Sequence, residues 1–290
     1  MQRSKTVVSG WVNGFAGVVI FSGSLPATRI AVMNFDPFFL TVARASIAGM
    51  LALAFIALLK STRPQKNQLF SLGIVAFGVV VGFPLLTALA LRHITSAHSI
   101  VFLGLLPLST ALFGVLRAGE KPRALFWLFS FAGSLLVMGF ALAKGFSQLN
   151  SGDLYMLAAI LVCGLGYAEG ARLTRTLGGW QTISWALLLA LPLMLLLALF
   201  TRPASFSAVS LSAWLALGYV ALFSMLIGFI FWYKGLAQGG IAAVGQLQLL
   251  QPLFGLWISA ALLGEHVSAN MVAVTLGVML CVVFSRRFAR

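Results

Sequence analysis

The sequence predicts an all-α membrane protein of ten transmembrane helices, arranged as two five-helix repeats of opposite orientation. Three observations carry this. Hydrophobic residues make up 61% of the 290 positions and charged ones only 8%, against roughly 25% charged in a soluble domain, so lipid rather than water must solvate most of the surface. The apolar residues fall in ten runs, each long enough to cross ~30 Å of hydrocarbon, which takes about 20 helical residues. A spaced motif also recurs at an offset of half the chain.

The runs lie near 11–33, 38–59, 69–91, 95–116, 124–143, 153–173, 180–200, 212–233, 240–262 and 267–285. Helices are expected because each satisfies its own backbone hydrogen bonds where no water is present. The residues left over form short loops, which excludes a soluble domain. Arg3 and Lys5 precede a first run too long for the apolar core of a cleavable signal.

The formal charge of +14 and pI near 11.2 raise nucleic acid as a partner, but the basic residues are scattered between apolar runs and never form one continuous face. Topology explains them better. With the N-terminus inside, fourteen Lys and Arg fall on one side, including Lys60, Arg63, Arg117, Arg172, Arg287 and Arg290. Only Arg92, Lys144 and Arg202 fall on the other, and Arg29 and Arg44 lie within spans. Positive residues collect on the cytoplasmic side, so both termini are expected there, in a bacterial inner membrane.

The offset of 145 residues brings Leu105, Pro107, Leu108, Gly119, Glu120 and Ala124 onto Leu250, Pro252, Leu253, Gly264, Glu265 and Ala269. The repeats are then 1–145 and 146–290, forming one compact membrane domain. Five helices are an odd number, so the second copy sits upside down. Inverted repeats suit transporters, because two similar halves can open a shared site to either side in turn.

The same residues carry a family resemblance. Ala88-Leu89 ends the third span, Ser96, Ala97 and Ser99 open the fourth, and Pro107 and Gly119-Glu120 follow. Together they resemble the EamA-type repeat of the drug/metabolite transporter superfamily. Asp36-Pro37 followed by Arg44 is similar too, and the second copy matches through Leu236, Ala242, Pro252 and Gly264-Glu265. The resemblance covers nearly the whole chain. It implies a ten-helix inverted-repeat fold and, usually, export of amino acids or other small metabolites; within the family the chain is most similar to exporters of aromatic and other neutral amino acids.

Candidate functional residues are polar or helix-breaking groups inside the spans. Gln246, Gln248 and Gln251 interrupt an apolar run, and an unpaired amide in lipid is costly, so they should face the interior, touching substrate or gluing helices. Ser24 and Thr28 share a face of the first helix and either line a cavity or bond back to their own helix. His98 is a ligand contact, a pH sensor or a helix–helix contact. Tyr167 and Phe83, on glycine-rich helices, are the preferred aromatic walls over Trp185, Trp232 and Tyr233. Pro107 and Pro252 each free the carbonyl four residues back and read as hinges, or as fixed kinks. Glu120 and Glu265 read as helix caps for the helices that follow them, with Pro122 in the first turn of the fifth. Glu169 and Arg172 read as a local ion pair.

Cys163 and Cys281 sit in apolar runs, and the three histidines lack metal-ligand spacing, so no metal or cofactor is expected. The chain has no H-E-x-x-H, G-x-S-x-G or G-x-x-x-x-G-K-[ST] motif. The expected partners are a small-molecule substrate and the bilayer, with the chain a monomer or weak homodimer. The rival readings are a channel-like protein or membrane subunit acting with a partner, or an intramembrane enzyme.

Overall fold

Local chemistry sets the helix ends. The Asp36 carboxylate accepts from the Phe38 and Phe39 N–H groups, and Pro37 opens the helix behind it, where its missing donor costs nothing. The Thr95 and Ser210 hydroxyls accept from the His98 and Ala213 N–H groups, and Asn150 and Asp153 form a capping box. Gly119 and Gly264 close helices with φ of 67° and 61°, a left-handed conformation that favours glycine.

In a computed structural model, which describes residues 2–59, 61, 63–142 and 150–286, these signals delimit ten helical segments. They are α1 (Gln2–Ser22 and, after a break at Gly23, Ser24–Val32), α2 (Pro37–Leu58), α3 (Lys66–His93), α4 (Ser96–Ala118), α5 (Ala124–Leu142), α6 (Ser151–Leu177), α7 (Gly179–Thr201), α8 (Leu211–Gly239), α9 (Ile241–Leu263) and α10 (Ala269–Arg286). Eight are long and apolar enough to cross a bilayer; α5 and α10 contribute shorter apolar stretches, Ala124–Gly133 and Ala269–Cys281. Lys60, Lys144, Arg287 and Arg290, and the boundary proposed between the repeats, lie outside the described residues. The first helix starts at Gln2 rather than near 11, and α8 runs on to Gly239; α5 begins at Ala124 as expected, which leaves Pro122 before the helix rather than in its first turn.

The irregular turns recur at corresponding places in the two halves. π-Helical segments occupy Ala76–Gly82 in α3 and Val220–Ile227 in α8, and 3-10 turns occupy Leu103–Leu105 in α4 and Gln246–Leu249 in α9. Pro84, Pro107 and Pro252 each follow one of these turns. At Pro107 the carbonyl it leaves free, that of Leu103, is taken by the Leu106 N–H instead.

Helices approach closely where glycines meet. A Cβ on Gly235 of α8 would lie 2.6 Å from the Gly14 nitrogen of α1, and one on Gly78 of α3 would lie 2.6 Å from the Val162 carbonyl oxygen of α6. Small residues let backbones touch, which is how helices associate where lipid removes the hydrophobic drive. Gly10 and Gly14 of α1 thus pack against Gly235 and Gly239 of α8 within the chain.

Cross-links between loops define two faces. Asp36 pairs with Arg92 at 3.7 Å, the Ser210 N–H reaches the Asn34 side chain, and the Asn150 amide reaches the His93 carbonyl. At the other end Gln68 meets Thr176, Trp185 meets Ser61 and Asn13 meets Gln238. Lys66, Arg117, Arg172 and Arg175 lie at this second end, called the basic face below.

Glu120 and Glu265 cap helices, but not those that follow them. Glu120 accepts from the Ile241 and Ala242 N–H groups at 2.9 Å each, opening α9. Glu265 accepts from the Ser96 and Ala97 N–H groups at 3.0 and 2.7 Å and from the Ser96 hydroxyl at 2.8 Å, opening α4. Each half thus caps a helix of the other, because the αL glycine before each glutamate turns the chain back over its neighbour.

Candidate functional site

At the centre, side chains from four helices converge. Phe21 of α1, Tyr167 of α6, and Phe229, Trp232 and Tyr233 of α8 are all buried. Ring centroids lie 5.0 Å apart for Phe21–Phe229, 5.5 Å for Tyr167–Trp232 and 5.2 Å for Phe229–Tyr233. Such tilted and edge-on pairs favour aromatic clustering beyond simple area burial. The Tyr233 hydroxyl donates to the Gly166 carbonyl at 3.1 Å.

The fourth helix is α9, which brings its glutamines against this cluster. The Gln251 amide donates to the Phe21 carbonyl at 3.3 Å while its own oxygen has no partner. The Gln248 amide faces the Tyr167 hydroxyl without closing a hydrogen bond of normal geometry, and the Trp232 indole N–H is also unpartnered. Buried polar atoms left unmade cost about 1–3 kcal/mol each. Several of them stand beside one aromatic cluster, and buried unsatisfied groups of this kind are rare enough to call for an explanation.

The other predicted site residues distribute unevenly. Tyr167 sits in the cluster, together with Trp232 and Tyr233, which the sequence reading ranked below it; Phe83 is half-buried on α3 and makes no ring contact with the cluster. Gln246 is buried and lines a small pocket of about 130 Å³ with Trp11, Leu250 and Met279. The Thr28 hydroxyl bonds back to the Ser24 carbonyl at 2.7 Å, the self-bonding outcome. Ser24 instead crosses to α8 and bonds the Ser224 hydroxyl at 2.8 Å.

His98 is not a lone histidine. Its Nε2 lies 2.8 Å from an Asp153 oxygen, both side chains buried, joining α4 to α6. Asp153 is thus buried although it sits in the first turn of α6, within the capping box. The Glu169–Arg172 pair exists and is larger than expected. The wholly buried Glu169 also accepts from Arg117 Nε at 2.7 Å, and Arg172 reaches Ser71 at 3.0 Å, tying α3, α4 and α6 at the basic face. On the opposite face, Gly23, Ala27, Tyr219, Ile258 and Leu262 line a groove of about 480 Å³ between α1, α8 and α9. Among the described residues no three metal-ligating side chains converge.

Phe21 and Arg44 are the residues sequence reasoning missed. Phe21 is one of 24 phenylalanines and carried no distinguishing signal. Arg44, a charge inside an apolar run, carried a strong one.

A bundle of membrane-length helices with a polar and aromatic centre defines a multi-pass membrane protein of the transporter type. Comparison with known proteins makes this specific: the model of the EamA-like transporter family matches twice, over residues 8–143 and 150–287, and the chain belongs to that family. It is 65% identical to the uncharacterized transporter YdeK of Bacillus subtilis over 97% of this chain and 98% of that one. It is 25% identical to the uncharacterized inner membrane transporter YedA of Escherichia coli K12, over 88% of this chain and 83% of that one. A crystal structure 19% identical in sequence shares the fold with a TM-score of 0.70, covering 98% of both chains.

Proposed function

We propose that the protein is a secondary transporter exporting small neutral metabolites, most of all amino acids including aromatic ones, by alternating access between two inverted five-helix repeats. The observation that carries the substrate class is the central cluster, where the Tyr167, Trp232 and Phe21 rings pack beside the unpartnered Gln248 amide, the Gln251 amide oxygen and the Trp232 N–H. An aromatic ring would stack there, and a solute's polar groups would meet the open donors and acceptors.

The repeat reading is supported by the double family match, the π segments and 3-10 turns at corresponding positions, and the reciprocal caps of Glu120 and Glu265. In this reading all ten helices span and Pro107 and Pro252 are the hinges. The basic face is cytoplasmic, and the Arg117–Glu169–Arg172 cluster closes that side. At the 145-residue offset, the position matching Arg117 is Leu262 in the second half and that matching Arg172 is Ala27 in the first, and both line the open groove instead. One end of the bundle thus holds a latch, built from both halves, where the matching positions at the other end hold a gap, as alternating access requires of two states.

The test is counterflow in proteoliposomes containing the purified chain alone. Radiolabelled phenylalanine and leucine should exchange with saturation, while arginine and glutamate should not. Non-saturating flux would indicate a channel, and no flux of any neutral amino acid would overturn the substrate class.

A further inference from the structure

Arg44 lies about 10 Å along α2 from its start at Pro37 and is buried to 5% exposure. One Nη donates to the Val220 carbonyl at 3.1 Å and to the Ser224 hydroxyl at 3.3 Å, and Nε has no partner. No carboxylate balances it. The chain has five Asp and Glu in all, and each is engaged elsewhere: Asp36 with Arg92, Glu120 with the α9 start, Asp153 with His98, Glu169 with Arg117 and Arg172, and Glu265 with the α4 start. A guanidinium inside a membrane bundle without an opposite charge is costly, and such groups mark sites where a charge is supplied from outside.

The surroundings suit an anion. Ser224 bonds both Arg44 and Ser24, so one hydroxyl stands against the guanidinium and a second is one hydrogen bond further on. Val220, whose carbonyl Arg44 borrows, opens the π segment of α8, a kind of turn found often at functional sites. The groove on the face opposite the basic one is lined by Gly23 and Ala27, on either side of Ser24 in the chain, and by Tyr219, which precedes Val220. Phe21 of the aromatic cluster is only three residues before Ser24 on α1.

We propose that Arg44, with Ser24 and Ser224, binds the carboxylate of the transported solute, the guanidinium giving it two parallel N–H donors. This rests on the transporter reading and deepens it: the solute is neutral overall but carries a carboxylate, held at Arg44 while its side chain points to Phe21 and Tyr167.

The experiment measures ligand-induced thermal stabilisation of the full chain in nanodiscs, with two matched series. The first is L-phenylalanine, L-phenylalaninamide and phenethylamine; the second is L-leucine, L-leucinamide and isoamylamine. The acids should bind at least tenfold more tightly than their amides or amines. Arg44→Gln should erase that preference, since a hydrogen bond to a charged group accounts for about a 10- to 100-fold difference. Ser224→Ala, which keeps the charge, should weaken the acids by about 2- to 12-fold and carries the test if Arg44→Gln does not fold. Acids bound no better than amides, an acid preference surviving Arg44→Gln, or no acid bound at all would overturn the proposal. So would an Arg44-dependent stabilisation by phosphatidylglycerol alone, which would make this a lipid site. If leucine shows the preference and no phenylalanine compound binds, the anion site stands and the aromatic reading falls; phenyl compounds binding independently of Arg44 give the reverse.

Discussion

Replacing Glu265 by Gln should destabilise the protein by about 2–4 kcal/mol. The carboxylate takes three hydrogen bonds on its two oxygens, from the Ser96 N–H, the Ser96 hydroxyl and the Ala97 N–H. A glutamine keeps one oxygen and turns an NH₂ toward at least one of those donors, leaving a buried N–H unmet at about 1–3 kcal/mol. The lost charge at the α4 N-terminus adds about 0.3–1 kcal/mol. Cys163 is buried and free, and Cys281 is partly exposed. In a Cys281→Ser background, a thiol-reactive dye therefore reports unfolding as Cys163 becomes accessible. At roughly 2–4 °C per kcal/mol for a chain of this size, the midpoint should fall by about 4–16 °C. Glu120→Gln should fall by a similar amount, since it loses the equivalent bonds to Ile241 and Ala242. Arg92→Gln breaks only a half-exposed pair at 3.7 Å and should cost under about 1 kcal/mol. A Glu265→Gln midpoint no lower than that of Arg92→Gln would refute the reasoning.

Gly170→Ala should cost about 1–3 kcal/mol through overpacking, because its Cβ would meet the Tyr233 ring, whereas Gly73→Ala, with nothing near its Cβ, should leave the unfolding midpoint unchanged or raised; equal midpoints would refute the close α6–α8 contact. In cells lacking the native cysteines, a membrane-impermeant thiol reagent should label a single cysteine at Ser205 and spare one at Arg63, and the reverse pattern would invert the assigned orientation. Transport should run down the solute's own gradient, equilibrating without ions and not accumulating under an imposed pH gradient. Accumulation abolished by a protonophore would refute this and direct attention to the buried His98–Asp153 pair.

The sequence by itself determined an all-helical membrane chain, eight of whose helices are of spanning length among the described residues, because span length is dictated by bilayer thickness and helix ends by residues such as Pro37, Thr95, Gly119 and Gly264, all local effects. The family, whose match falls on the chain twice, was legible for a related reason: Pro107, Gly119 and Glu120 recur as Pro252, Gly264 and Glu265 with their spacing intact. The inward face of α9 could also be read, since the cost of an unpaired amide in lipid leaves Gln246, Gln248 and Gln251 nowhere else to go.

Only the tertiary structure decided which helix each polar group meets. Glu120 and Glu265 read locally as caps of the next helix, but the donors they take belong to the other half, more than a hundred residues away. His98 and Asp153 are 55 positions apart, and Arg44 and Ser224 are 180 apart. Choosing Trp232 and Phe21 rather than Phe83 as companions of Tyr167 likewise depends on which faces α1, α6 and α8 turn toward one another. In a chain whose helices are apolar nearly all round, periodicity marks no inner face. Glycine contacts such as Gly14–Gly235 and Gly78–Gly166 decide it instead, by permitting close approach at one rotation of each helix.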